Sequence, residues 1–123
     1  MGDAIEGWAA GGGHPPVVVQ RADGRTAALK VGGSLLGLFS DAEVESVRVR
    51  LDAGDTLVLV TDGVLEARDD VQFEVGGVER VLAAEAGDAA AVAVALESAV
   101  LRHTGGSLSD DMAILVLRVP GET

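Results

Sequence analysis

Three carboxylates stand at the ends of apolar segments, where strands would begin or end. Asp62 follows the nearly all-apolar segment 56–61. Asp110 and Asp111 come directly before the apolar segment 112–119. If the two segments are strands that run antiparallel, all three acids lie at the same edge of one sheet. Because carboxylate oxygens are hard ligands of the kind that Mg²⁺ and Mn²⁺ prefer, the pattern favours a divalent-cation site at this edge.

Each acid also has a purely structural interpretation. Asp62 and Gly63 can form a plain turn, or Asp62 can cap a short helix over residues 64–68. Asp110 and Asp111 can be a charged turn before a strand. In a metal site, Gly63 would instead let the backbone turn sharply close to the ion. The residues alone leave both interpretations open.

The remaining polar side chains fit structural roles better than catalytic ones. His14 lies between three glycines and two prolines, where a histidine is usually a hydrogen-bonded turn residue. His103 would end a helix and interact with its dipole. Glu66 and Arg68 would pair with each other or with solvent. The sequence has no Gly-x-Ser-x-Gly element, so it shows no sign of a Ser/His/Asp triad, and its glycine-rich segments lack the Gly-Lys-Ser/Thr of a phosphate-binding loop.

The composition restricts the possible partners. The chain has 123 residues and a formal net charge of −11, which disfavours nucleic acid and anionic membranes because both need a basic face. Without cysteine it has no disulfide and no thiolate zinc site. No apolar run reaches the roughly 20 residues that span a bilayer, and the first residues are acidic rather than basic. We therefore expect a soluble cytoplasmic protein.

The hydrophobic pattern predicts one α+β domain over residues 1–123. Several strands precede two helices, and a last strand follows them, which is typical of helices packed on one face of an antiparallel sheet or sandwich layer. The predicted elements are a hairpin over residues 16–31, strands over 47–51 and 56–61, helices over 78–86 and 88–103, and a strand over 112–119.

Four blocks of sequence, in order, resemble one protein family. They are Gly-His-Pro-Pro at 13–16, Gly-Gly-Ser-Leu-Leu-Gly-Leu at 32–38, the long block at 51–68 that contains Gly-Asp and Thr-Asp-Gly-Val-Leu-Glu-Ala, and Ser-Asp-Asp-Met-Ala-Ile-Leu-Val-Leu at 109–117. Together they resemble the C-terminal part of the PPM-type (type 2C) serine/threonine phosphatases, in the bacterial branch that includes stage II sporulation protein E.

The resemblance implies a metal-dependent phosphatase that acts on phosphoserine or phosphothreonine. It implies two Mg²⁺ or Mn²⁺ ions at the edge of a β-sandwich flanked by helices, with Asp62 and Asp110 as ligands and Asp111 beside them. Thr61, Gly63 and His14 fall within the matching blocks and are expected to support the site. A metal-activated water would attack phosphorus, and the substrate would be a phosphorylated regulator of sigma-factor signalling.

The same comparison shows what the sequence lacks. The family's first two acidic motifs, which supply further metal ligands, have no counterpart here. We therefore expect the chain to correspond to the later part of the family's domain, to bind at most one ion weakly, and to be inactive alone. The alternatives are a catalytically inactive binding or oligomerisation module, and an acidic α+β domain whose acids are only turns. An uncovered sheet would also favour self-association, or pairing with a missing N-terminal half.

Overall fold

The chain folds into antiparallel strands and three helices. The computed structural model describes residues 4–11, 17–29, 45–67, 73–85, 87–105 and 111–121. Its elements are β1 (Ile5–Gly11), β2 (Val17–Gln20), β3 (Thr26–Leu29), β4 (Glu45–Leu51), β5 (Thr56–Val60), α1 (Asp62–Leu65), α2 (Glu74–Ala84), α3 (Ala89–His103) and β6 (Ile114–Arg118). The predicted α+β class is confirmed.

The strands form two sheets. Four of them pair antiparallel in the order β3-β2-β5-β6, and β1 pairs with β4 as a separate two-stranded ribbon. The hairpin predicted over residues 16–31 is confirmed as β2 and β3. The last strand, β6, runs antiparallel to β5 along its whole length, from Thr56 opposite Arg118 to Val60 opposite Ile114. This is the pairing on which the predicted metal site depends.

Two apolar clusters cover opposite faces of the four-stranded sheet. On one face Val58 and Val60 of β5 join Leu82 of α2 and Leu96 of α3 in the main core. On the other face β2 and β4 supply a smaller cluster, whose buried members are Val17, Val19, Val49, Leu51 and Val119. The helices therefore lie on one side of the sheet and the ribbon on the other. Among the helices of the described ranges, none is long and apolar enough to cross a bilayer.

The structure differs from the sequence prediction in the extent of several elements. Strand β1 was not predicted, since its sequence is rich in glycine and alanine. Helix α2 starts at Glu74 rather than Val78. The sequence did not predict this first turn, because Gly76 and Gly77 lower its helical propensity. A Cβ at Gly77 would lie 2.7 Å from the ring of Phe73, so close packing against that ring requires glycine. The last strand is also shorter than predicted.

A buried carboxylate, Asp55, joins two turns at the start of β5. It is 3% exposed. Its oxygens accept hydrogen bonds from the backbone N–H groups of Asp52 at 2.8 Å and Ala22 at 2.9 Å, and from the Arg21 guanidinium at 2.9 Å. Its backbone carbonyl accepts from the N–H of Val119, at the end of β6. The side chain therefore ties the β2–β3 turn to the β4–β5 turn, beside the end of β6.

The surroundings of Asp55 lower the pKa of its carboxyl from the ordinary value of 3.8. Burial acts in the opposite direction, but the hydrogen bonds from Asp52, Arg21 and Ala22 outweigh it. A carboxyl with a lowered pKa stabilises the folded state above its unfolded pKa. That contribution is lost as the pH falls through the folded value.

We predict that Asp55→Asn lowers the free energy of unfolding by about 2–4 kcal/mol at pH 7, because an amide nitrogen would replace an acceptor facing backbone donors. The difference from the unsubstituted chain should shrink as the pH falls below 3.8 and then through the lower pKa of Asp55 in the folded chain, where this carboxyl becomes protonated. Urea unfolding at pH 7 and at a pH below 3.8 measures the difference. Asp52→Asn is the matched control, since the Asp52 side chain is exposed. If both substitutions lower the free energy of unfolding equally, the buried Asp55 carboxylate does not have this stabilising role.

Candidate metal site at the edge of the sheet

The ends of β5 and β6 meet at the sheet edge where the acids were predicted. Val60 lies opposite Ile114, which is the last ladder pair in that direction. One residue further, the N–H of Thr61 donates to the carbonyl of Ala113 at 3.1 Å. Asp62 therefore leaves the sheet at the same edge where Asp111 approaches it. The antiparallel geometry assumed from the sequence holds.

The hydroxyl of Thr61 connects the two acid-bearing segments directly. It accepts a hydrogen bond from the N–H of Ala113 at 3.0 Å and lies 3.4 Å from the carbonyl oxygen of Asp111, to which it can donate. Thr61 is also the N-cap residue of α1, yet its side chain makes no capping hydrogen bond. The hydroxyl thus fixes the spacing of the two segments rather than the start of the helix.

Asp62 occupies the first turn of α1, and its side chain is exposed. It is not the helix cap considered from the sequence, since Thr61 holds that position. Gly63 also differs from expectation: it is buried within α1 rather than forming a sharp turn. The short helix is anchored by Val64, which is fully buried in the main core. The backbone that carries Asp62 is therefore held by packing, while its carboxylate faces solvent.

The described residues contribute two carboxylates to this edge, Asp62 and the exposed Asp111. Asp110 lies outside the described residues. Within the ranges that the structure describes, no group of three or more His, Asp or Glu side chains could hold a metal ion. Two exposed carboxylates on anchored segments have the oxygen chemistry that Mg²⁺ or Mn²⁺ requires. Because such ions take about six ligands, these residues form part of a site rather than a complete one.

The other candidate side chains do not join this edge. The ring of His103 packs edge-on against Phe73, with centroids 5.6 Å apart, in the last turn of α3. Glu66 is exposed and ends α1. His14 and Arg68 fall outside the described residues. The structural role expected for His103 therefore agrees with its packing.

Sequence reasoning identified Thr61 only through the family resemblance and did not identify its contacts. One feature of the sequence could have indicated these contacts: Thr61 is a hydroxyl residue at the last position of an apolar segment, directly before an acid. A threonine there can bond across to a neighbouring strand, but the sequence does not say which strand is the neighbour. The buried role of Asp55 was missed for the same reason, because Asp-Ala-Gly-Asp at 52–55 is typical of an ordinary turn.

Known proteins resemble the chain over almost its whole length. The family model described as Stage II sporulation protein E (SpoIIE) matches residues 6–120. Stage II sporulation protein E of Bacillus subtilis (strain 168) is 29% identical over 114 residues, which is 90% of this chain and 13% of that protein. The protein of the same name from Priestia megaterium is 24% identical, over 90% of this chain and 19% of its own length.

Solved structures share the fold. The phosphatase domain of SpoIIE from Bacillus subtilis, presoaked with Mn, superposes with a TM-score of 0.77 at 23% identity and covers all of this chain. A structure of its PP2C phosphatase domain with a fragment of the regulatory domain gives 0.83 at 24% identity, over 95% of this chain. The RsbU and RsbW domains of Rv1364c from Mycobacterium tuberculosis give 0.74 at 25% identity, over 96% of this chain.

The match extends over only part of each relative. The chain corresponds to 57% of the Mn-presoaked phosphatase domain and to 35% of the structure with the regulatory fragment. It corresponds to 13% and 19% of the two stage II sporulation proteins E. Over that part, the order of strands and helices is that of a PP2C phosphatase domain. With the family model matched across residues 6–120, the chain belongs to the stage II sporulation protein E (SpoIIE) family.

Proposed function

We propose that this chain is the C-terminal portion of a metal-dependent phosphoserine and phosphothreonine protein phosphatase. The observation that carries the proposal is the β5–β6 pairing, which brings Asp62 and Asp111 to one edge in a chain of the SpoIIE family. Asp110 is the third proposed ligand. Thr61, Gly63 and His14 are proposed as supporting residues, and no side chain is proposed as a nucleophile.

The chemistry follows from the oxygen ligands. A bound Mg²⁺ or Mn²⁺ lowers the pKa of a coordinated water and neutralises charge on the phosphoryl oxygens. Asp62 and Asp111 would bind the cation, and Thr61 would hold the segments that carry them at a fixed separation. The water oxygen forms the new bond to phosphorus, the bond from phosphorus to the serine or threonine oxygen breaks, and that oxygen takes up a proton. No covalent intermediate on the protein is required.

Charge limits what this chain does alone. Carboxylates held close together repel each other unless a cation lies between them, so a partial ligand set binds weakly. We propose that at most one ion binds to these residues and that full activity needs further carboxylates. They would come from additional sequence of the same domain or from a second polypeptide. The partial coverage of the solved phosphatase domain, 57%, supports this requirement.

We propose a phosphorylated protein as the substrate, specifically a regulator of sigma-factor signalling, and the cytoplasm as the place of action. The proposed substrate rests on the family resemblance, and the proposed location rests on the sequence, in which no apolar run reaches the roughly 20 residues that span a bilayer. The net charge of −11 is consistent with a protein rather than a nucleic-acid substrate, because the phosphates of nucleic acid would be repelled.

A comparison of two polypeptides tests the phosphatase proposal. With Mn²⁺ and an aryl phosphate, the 123-residue chain should show no more than background hydrolysis. A longer polypeptide that includes the family's earlier acidic motifs should be active. In that polypeptide, Asp62→Asn should lower kcat by about 100-fold or more, because it removes a metal-binding oxygen.

The matched control is Asp52→Asn, which changes an exposed acid beside the opposite end of β5 and should leave kcat unchanged. If the longer polypeptide is inert and Asp62→Asn has no effect on Mn²⁺ binding, the phosphatase proposal is wrong. If Asp62→Asn and Asp52→Asn lower kcat equally, Asp62 is not a ligand.

Thr61 gives a second prediction. Thr61→Val should lower the free energy of unfolding by about 1–2 kcal/mol and weaken Mn²⁺ binding, because the N–H of Ala113 loses its acceptor. Thr61→Ser keeps the hydroxyl and should retain most of the stability and most of the Mn²⁺ affinity. Urea unfolding and calorimetric titration with Mn²⁺ measure the two effects. Equal Mn²⁺ affinity in the valine and serine variants would show that the bridge does not position the acids.

The second candidate function is a catalytically inactive module that binds or oligomerises. It is favoured by the exposed leucines of β6, Leu115 at 59% and Leu117 at 45%. They lie opposite Leu59 and Leu57 in the ladder, on the face that β4 covers only in part. An uncovered apolar sheet face favours association with a second copy or with a missing half of the domain.

We predict that the isolated chain self-associates through this face. Leu115→Ser combined with Leu117→Ser should shift the chain to monomer in sedimentation equilibrium. The two substitutions remove exposed apolar area without creating a cavity in the core. Val94→Ser is the matched control, since Val94 is 65% exposed on α3. A monomeric unsubstituted chain, or a dimer that the double substitution leaves intact, would contradict the prediction.

A further inference from the structure

A groove lies between α2 and α3, apart from the acidic edge. Its volume is about 510 Å³. The buried stripes of the two helices, which include Leu82 and Leu96, point into the main core. The groove residues, Gly77, Val81, Ala95 and Ala99 among others, lie on neighbouring stripes at the outer margin of that core. Val81 and Ala99 are partly buried and pack against the core from this side. The floor of the groove is therefore apolar and built from small side chains, which let another backbone approach closely.

Two arginines flank this floor, one from each helix. Arg80 of α2 and Arg102 of α3 both line the groove and are exposed. Neither has a carboxylate partner among the described residues. The other arginines of the described ranges are all engaged: Arg21, Arg25, Arg48 and Arg50 pair with carboxylates, and Arg118 bonds to the carbonyl of Gly87. In a chain of net charge −11, two arginines without a carboxylate partner in the described ranges therefore stand on either side of an apolar floor.

Among the described residues that line the groove, one is a carboxylate, and it does not neutralise these arginines. Glu85 lies at the far end of α2, where its Oε1 accepts a hydrogen bond from the N–H of Gly87 at 2.9 Å. The groove therefore offers an apolar centre with positive charge on both walls. A complementary ligand carries apolar side chains flanked by carboxylates.

The walls also indicate the ligand's backbone conformation. Both walls are helices, whose backbone groups are hydrogen-bonded within the helix, so an extended segment would find no backbone partners there. A helix satisfies its own backbone and presents an apolar stripe. The groove follows α2, whose 11 residues extend about 17 Å, or roughly three helical turns. We propose that the groove between α2 and α3 docks an amphipathic helix of a protein partner whose apolar stripe is flanked by carboxylates.

This inference is independent of the proposed phosphatase chemistry. Its probe is a designed, lactam-constrained helical peptide of about 18 residues, with leucine and alanine on one stripe and glutamates beside it. A second peptide carries lysines in place of the glutamates. Fluorescence anisotropy with the 123-residue chain measures both. The acidic peptide should bind saturably, and the lysine peptide should bind at least about tenfold more weakly.

Charge reversal is the decisive comparison. Arg80→Glu combined with Arg102→Glu should weaken binding of the acidic peptide about tenfold and restore binding of the lysine peptide. Arg25→Glu is the matched control, because Arg25 is exposed on the β2–β3 turn. Asp62→Asn should bind the acidic peptide like the unsubstituted chain, so failure of the metal proposal leaves this result unaffected.

Four outcomes would overturn the inference. The acidic peptide fails to saturate, or the Arg80/Arg102 and Arg25 variants bind it equally, or the double reversal leaves the preference for the acidic peptide unchanged. A dimer that dissociates only in the Arg80/Arg102 variant would mean that a second copy of the chain occupies the groove, which also contradicts a separate partner.

Discussion

The antiparallel pairing of β5 with β6 is the constraint on which the rest of the structure depends. Further hydrogen bonds, outside the β5–β6 ladder, stabilise this pairing at both ends. At one end Gly54 donates to the carbonyl of Val119, whose own N–H donates to Asp55. At the other end the backbone and hydroxyl of Thr61 bond to Ala113. If β6 shifted by one residue along β5, the hydrogen bonds at both ends would break. The core-facing and outward-facing side chains of β6 would also exchange places, so the register is strongly specified.

The pairing also divides the molecule into two different surfaces. On the helix side, side chains of β5 and β6 are covered by α2 and α3. Gln20 and Thr26 hold α2 against the sheet through hydrogen bonds to the carbonyl of Leu82 and the carboxylate of Glu79. On the other side the cover is partial, and leucines of β6 remain exposed. The larger apolar cluster therefore lies on the helix side, and the opposite face keeps exposed apolar surface.

The sequence was sufficient for elements whose pattern is strong and local. The helix with Asp88 as N-cap was predicted to end near His103, and Asp88 does accept from the N–H of Ala91. The sequence was insufficient wherever a distant partner decides the outcome. The early start of α2 depends on Phe73 packing over Gly77, and the burial of Asp55 depends on Arg21. The shared edge of Asp62 and Asp111 required an assumption about strand direction that only the pairing could test.

The contact between Thr61 and Asp111 spans 50 residues of chain, and α1, α2 and α3 lie between them. At a synthesis rate of about 5–20 residues per second, Asp62 leaves the ribosome seconds before the strand that completes its edge. Closing so long a loop carries an entropic cost. Because β6 is the last of these elements in chain order, the acidic edge cannot be completed until the helices that precede β6 have been synthesised. A nascent chain that ends before β6 carries the Thr-Asp-Gly segment without the opposing strand that fixes its position.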